Sequence, residues 1–231
     1  FSIAWAILVY APLTHWVWGG GWLYELGVVD FAGGIVVHAS AGFSALAAGM
    51  ILGRRKGFGR SNLTAHNIPW AWLGTFILWF GWFGFNGGSA LGSSTLAVSA
   101  TVATNIAASG AAVSVALLSW AKLGKPSIMM TMGGSIAGLA AITPASGFVE
   151  PLPSLLIGVV AGMVFYGGIT LVRERLKVDD ALDVSSIHGF TGIWGTLAIG
   201  LFATRIVNLD GPYGLIFGNP VQIGIQAVGA L

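Results

Sequence analysis

Cysteine is absent from this 231-residue chain, and charged side chains make up only 8% of it. With no thiol there is no disulfide, no thiolate metal site and no cysteine nucleophile, although the compartment is left open. The shortage of charge excludes more. Ten Lys and Arg against eight Asp and Glu give a formal charge of +2, too little for a nucleic-acid groove, so the pI of about 9.2 reflects topology and not a nucleic-acid partner. What fills the chain is apolar: 55% hydrophobic residues, 36 glycines, ten tryptophans and a mean hydropathy of +0.85. These values lie outside the soluble-globular range and indicate an all-α membrane protein, with the lipid bilayer as its surroundings.

Eight hydrophobic runs are placed at roughly Phe1–Leu13, Val29–Leu52, Pro69–Phe85, Leu96–Leu123, Ser127–Thr143, Leu155–Val172, Ser185–Thr204 and Pro220–Leu231. A span needs about 20 residues, and the first and last runs are cut short by the chain ends. Arg54, Arg55, Lys56 and Arg60 follow the second run, Lys122 and Lys125 the fourth, and Arg173, Arg175 and Lys177 the sixth. Nine of the ten basic residues therefore share one side, which the positive-inside rule makes cytoplasmic; Arg205 stands opposite. The expected localisation is the cell membrane, as a multi-pass protein. The cluster from Arg54 to Arg60 reads as a topology determinant able to touch anionic headgroups. Trp16, Trp18 and Trp22 crowd the first outer connector, and Trp70 and Trp72 open the third run on the inner side, as interfacial anchors do. The small residues of Gly133-Gly134-Ser135-Ile136-Ala137-Gly138 predict close helix packing.

One pattern occurs twice. Asp30 precedes His38 by eight residues, and Asp180 precedes His188 by eight. Ionisable groups within a span are costly and mark function by default. The two segments lie in the second and seventh runs, five crossings apart, so their helices run in opposite directions and define an inverted repeat, a transporter architecture. A five-helix unit then makes residues 1–231 a single transmembrane domain, a truncated portion of an eleven-helix bundle. If each Asp starts its helix, each His lies roughly 12 Å along it, and both sit near the midplane of a core about 30 Å thick, where their rings can touch. Asp30 and Asp180 read as N-caps of their spans, with a cation-attracting role at the outer mouth as the alternative for Asp30. Two histidines without a carboxylate or thiolate at their depth argue against a metal, and no other cofactor is implied. His15 and His66 lie in or beside connectors.

These residues resemble the Amt/Mep/Rh ammonium transporter family. The likeness is carried by Asp30-Phe-Ala-Gly-Gly with His38, Trp16-Val-Trp18-Gly-Gly-Gly-Trp22, Gly81-Trp-Phe-Gly-Phe-Asn86 with Ser89, Thr143-Pro144-Ala, and His188-Gly-Phe-Thr-Gly-Ile-Trp194. It covers the whole chain in the family's order. The resemblance implies a homotrimer of eleven-helix protomers, this chain running from the fourth helix to the start of the eleventh. It makes His38 and His188 the pore's twin histidines. Trp18, Phe85 and Ser89 match residues of the outer vestibule that recruits ammonium; Phe85 also matches one of two gating phenylalanines. Asp30 matches a structural aspartate, and Thr143 a residue near the recruitment site. Trp18 points to the ammonium-transporter branch, because the Rh branch lacks it.

The resemblance implies a transporter or channel, not an enzyme, with ammonium or ammonia as its ligand and a cytosolic regulatory protein as a possible partner. An ammonium sensor of the same fold and an Rh-like electroneutral gas channel are the alternatives. An intramembrane hydrolase built on Ser40 or Ser186 lacks a nucleophile motif.

Overall fold

The computed structural model describes residues 1–59, 63 and 65–231; Arg60 lies outside the described residues. Among the described residues every regular element is helical. The order is α1 (2–18), α2 (Trp22–Leu26), α3 (Gly34–Leu52), α4 (Ile68–Gly88), α5 (Thr95–Leu123), α6 (Ile128–Ile142), α7 (Pro151–Arg175), α8 (185–202) and α9 (Val221–Ala230), with a 3-10 turn at Leu215–Phe217. Each of the eight expected runs coincides with a helix. The short α2 is additional, within the tryptophan-rich connector.

Helices α3, α4, α5 and α7, of 19, 21, 29 and 25 residues, are long and apolar enough to cross a bilayer. Asn67, Ser94 and Ser127 begin α4, α5 and α6 by accepting the backbone N–H of Trp70, Ala97 and Met130. These caps satisfy N–H groups that a helix start otherwise leaves unpaired. Helix α6 has 15 residues, about 22 Å at 1.5 Å per residue, short of the hydrocarbon core. The chain then turns without helical bonding through 143–149, where every residue is buried. Irregular backbone at membrane depth is tolerated only when protein covers it, which is the case for this segment.

Small residues hold α5, α6 and α7 together. Ala103, Ala107, Ala108 and Ala111 are buried on α5, and a Cβ added at Gly138 of α6 or Gly158 of α7 would strike the Ala107 carbonyl. Such contacts let helices gain dispersion energy where lipid supplies no hydrophobic drive for association. The outward surface is apolar, with Ile51 85% and Phe80 77% exposed, a face suited to lipid or protein cover and not to water. Helix α9 is tied in by polar contacts. Buried Gln226 accepts the Val29 N–H at 2.9 Å and donates to the Val29 and Thr196 carbonyls at 2.8 and 3.2 Å. It fixes the backbone leading into Asp30.

At the basic end, Arg55 grips Asp179 through two side-chain bonds of 2.8 and 2.7 Å, and Arg173 Nε lies 2.6 Å from Asp183 Oδ1. The hydrogen-bonded Arg55 guanidinium holds Asp179 below the usual carboxylate range. Burial wins at Asp183 and pushes it up to about 6, against the opposing Arg173 charge. The two carboxylates therefore act on stability in opposite senses. Asp179 contributes above the ordinary carboxylate pKa and loses that contribution as pH falls through its lowered value. The Asp183 contribution is complete below the ordinary pKa of about 4 and is lost as pH rises through about 6. Asp183→Asn should remove the part of the decline in unfolding midpoint that falls between those two pH values. Superimposable pH slopes for variant and wild type would contradict this.

Candidate functional site

Both histidines occupy matching wide turns. His38 lies in the π-helical stretch Gly34–Ala39 that opens α3, and His188 in Ser185–Phe190 that opens α8. Single π turns inside helices are concentrated at functional positions. The aspartates organise these openings from a distance, which corrects the expectation that each marks its helix start. Asp30 stands four residues before Gly34. Its Oδ1 accepts from Gly33 and Gly34 at 2.8 and 2.7 Å, and its Oδ2 from Ile35 and Val36 at 2.8 and 3.3 Å. Gly33, at φ 117°, lets the chain fold back so that these N–H groups converge. Asp180 repeats the device, accepting from Val184 and Ser185 N–H at 3.0 and 2.7 Å and from the Ser185 hydroxyl at 2.6 Å. Each His consequently lies about one turn into its helix, not the two turns that counting from the aspartate gives.

The rings meet because α3 and α8 cross at glycines. A Cβ on Gly42 would collide with the backbone N and Cα of Gly189, the residue after His188. At this crossing His38 Nδ1 and His188 Nδ1 are 3.3 Å apart, with ring centroids separated by 5.2 Å. Trp82 of α4 stacks on both, with centroids 5.3 Å from His38 and 6.4 Å from His188. Phe85, one helical turn on, lies 6.0 Å from His38 and 5.8 Å from Trp82. His38 Nε2 sits 3.2 Å from Thr143 Oγ1, in the turn after α6. Thr143 thus joins the histidine site directly.

The remaining residues lie around it. The Trp18 indole N–H donates to the Asp30 carbonyl at 2.7 Å, leaving its ring faces available; the side chain is half-exposed. Ser89 donates its hydroxyl proton to the Phe85 carbonyl at 2.8 Å, so its oxygen lone pairs point away from that bond. Phe85 and Ser89 are therefore coupled through α4, while among the described residues no ring contact joins Trp18 to Phe85. Trp82 belongs to the motif Gly81–Asn86, yet only Phe85 of that motif has a site role in the sequence analysis, although the three-residue spacing puts both rings on one helix face. Among the described residues no three His, Cys, Asp or Glu side chains gather as a metal site would require. His15 is exposed at the end of α1, beside Trp18 in a shallow groove.

The long apolar helices define a multi-pass integral membrane protein, placed in the cell membrane. The family model of the Ammonium Transporter Family matches residues 1–231. The chain is 50% identical over 227 residues to ammonium transporter Amt1 of Archaeoglobus fulgidus, covering 98% of this chain and 57% of that protein. It superposes on the crystal structure of Saccharomyces cerevisiae Mep2 with a TM-score of 0.91 at 37% identity, covering 98% of this chain and 52% of that one. A solved structure named Sensor Amt Protein matches with a TM-score of 0.88 at 37% identity, covering 96% and 57%. This chain belongs to the ammonium transporter family, and it spans about half the length of these relatives.

Proposed function

We propose that the full-length protein carrying this chain recruits ammonium at an outer aromatic site and conducts it as ammonia past His38 and His188. The observation that carries the reading is the 3.3 Å contact between the two imidazoles, sandwiched against Trp82 within the membrane. A cation over the faces of Trp18 and Phe85 gains about 0.5 to 2 kcal/mol as it desolvates, and Ser89 Oγ, its own proton committed, is free to accept an ammonium N–H. Carrying the intact ion further through apolar surroundings costs several kcal/mol or more, so shedding the proton lowers the barrier. Two neutral imidazoles in contact share one proton, one donating and one accepting, and offer that proton a path. Asp30 serves as the structural anchor of this site, its four acceptor positions already occupied by backbone N–H groups.

Family membership also supports a homotrimer, in which neighbouring copies would cover part of the exposed apolar surface. The test of function is an ammonium pulse on proteoliposomes of the full-length protein, with potassium and methylammonium as comparison ions. A response selective for ammonium and methylammonium is expected, read as current or as internal pH change. Ligand binding without either response would favour the sensor reading, which the likeness to Sensor Amt Protein keeps in play. An internal pH change without current would identify electroneutral ammonia passage.

A further inference from the structure

The hydrogen bonds around Thr143 fix which nitrogen of each histidine carries its proton. A threonine hydroxyl has one proton to give and two lone pairs to fill. Thr143 Oγ1 lies 2.8 Å from the Leu139 carbonyl, which can only accept, so the hydroxyl proton is spent there. The Trp82 indole, which can only donate, lies 2.9 Å away and fills one lone pair. One lone pair remains, and His38 Nε2 faces it at 3.2 Å. His38 Nε2 must therefore bear a hydrogen; a bare nitrogen would set lone pair against lone pair. Turning the hydroxyl toward His38 instead would exchange a 2.8 Å bond for a 3.2 Å one.

The consequence passes to the partner ring. In the neutral pair, His38 protonated on Nε2 has a bare Nδ1, and the 3.3 Å contact then requires His188 to donate from its own Nδ1. His188 Nε2 is left bare, and among the described residues no hydrogen-bond donor meets it. We propose that Thr143, held in place by Trp82 and Leu139, is a positioning residue that sets this tautomer order and makes His188 Nε2, not His38 Nε2, the open basic nitrogen of the site. The donors then run in one direction, from His188 through His38 to Thr143 and the Leu139 carbonyl. A proton accepted at His188 Nε2 can shift toward His38, but the chain ends at a carbonyl that cannot pass it on. Outward relay stops at Thr143 unless its contact with His38 opens. The use of this order in conduction rests on the transport reading above; the tautomers themselves do not.

The experiment is nitrogen-15 NMR of histidine-labelled full-length protein in lipid bilayers, at a pH where both rings are neutral, with ammonium flux measured on the same vesicles. Wild type and Thr143→Ser, which keeps the hydroxyl, should show His38 protonated on Nε2 and His188 on Nδ1. Thr143→Val keeps the shape and removes the acceptor. Its His38 tautomer ratio should fall about tenfold, the worth of one ordinary hydrogen bond, with a comparable loss of flux that Thr143→Ser does not share. Wild-type His38 protonated on Nδ1, or Thr143→Val tautomers unchanged, would overturn the assignment. If Thr143→Val does not fold, the wild-type and Thr143→Ser spectra decide it. The predicted tautomers in a wild type that carries no ammonium would support the assignment and defeat the transport reading alone.

Discussion

Asp30→Ala should abolish the folded site, with the full-length protein recovered at low yield and a strongly lowered unfolding midpoint. The carboxylate accepts four backbone N–H groups at the opening of α3, and Asp30 is only 6% exposed, so water cannot take its place. A buried N–H stripped of its acceptor costs about 1–3 kcal/mol, and four together amount to several kcal/mol, comparable to the whole stability of an ordinary domain. Asp30→Asn separates anchoring from charge. It retains one acceptor oxygen but turns an amide NH2 toward two N–H groups, so anchoring predicts a clear stability loss, smaller than that of Ala. If the Asn variant kept wild-type stability and lost only ammonium affinity, Asp30 would instead be the cation-attracting mouth residue.

Gly42→Ala should suppress ammonium flux while leaving the helices formed. The added methyl would meet the Gly189 backbone, which cannot rotate away as a side chain can, and the strain of such overpacking is about 1–3 kcal/mol. The structure relieves it by moving α3 from α8, and that crossing is what holds the two imidazoles in contact. Proton sharing is lost with small displacements, so flux should drop on the order of tenfold to a hundredfold, the scale of about 1 Å misplacements at reacting groups. Gly74→Ala is the control, because beyond its own helix backbone no atom lies within 4 Å of a Cβ built there. Equal flux in Gly42→Ala and wild type would show that the ring contact is not needed.

How much of this was legible in the sequence differs from residue to residue. The hydrophobic runs located the helices because a span's length and polarity are set by the bilayer. The repeated Asp-to-His spacing singled out His38 and His188. The true helix openings were hidden, since the carboxylate reaches past a folded-back loop whose shape depends on Gly33 at φ 117°. Trp82 stands inside the motif Gly81–Asn86, but its composition and spacing do not separate a membrane anchor from a ring stacked on the site. Thr143 was singled out by resemblance alone, as a neighbour of the recruitment site. Its three hydrogen bonds join α4, α6 and the His38 turn, and no spacing in one segment encodes them. Gln226 was missed for the same reason: its partners, Val29 and Thr196, are 197 and 30 residues away.

The most direct test of the central claim replaces His38 and His188 with Ala, singly and together, in the full-length protein. Ammonium-driven current and internal pH would be followed in proteoliposomes at matched protein content and orientation. Loss of the response in either single variant, or a response that no longer favours ammonium over potassium, is the predicted result. Wild-type rate and selectivity in the double variant would contradict conduction along the histidine pair.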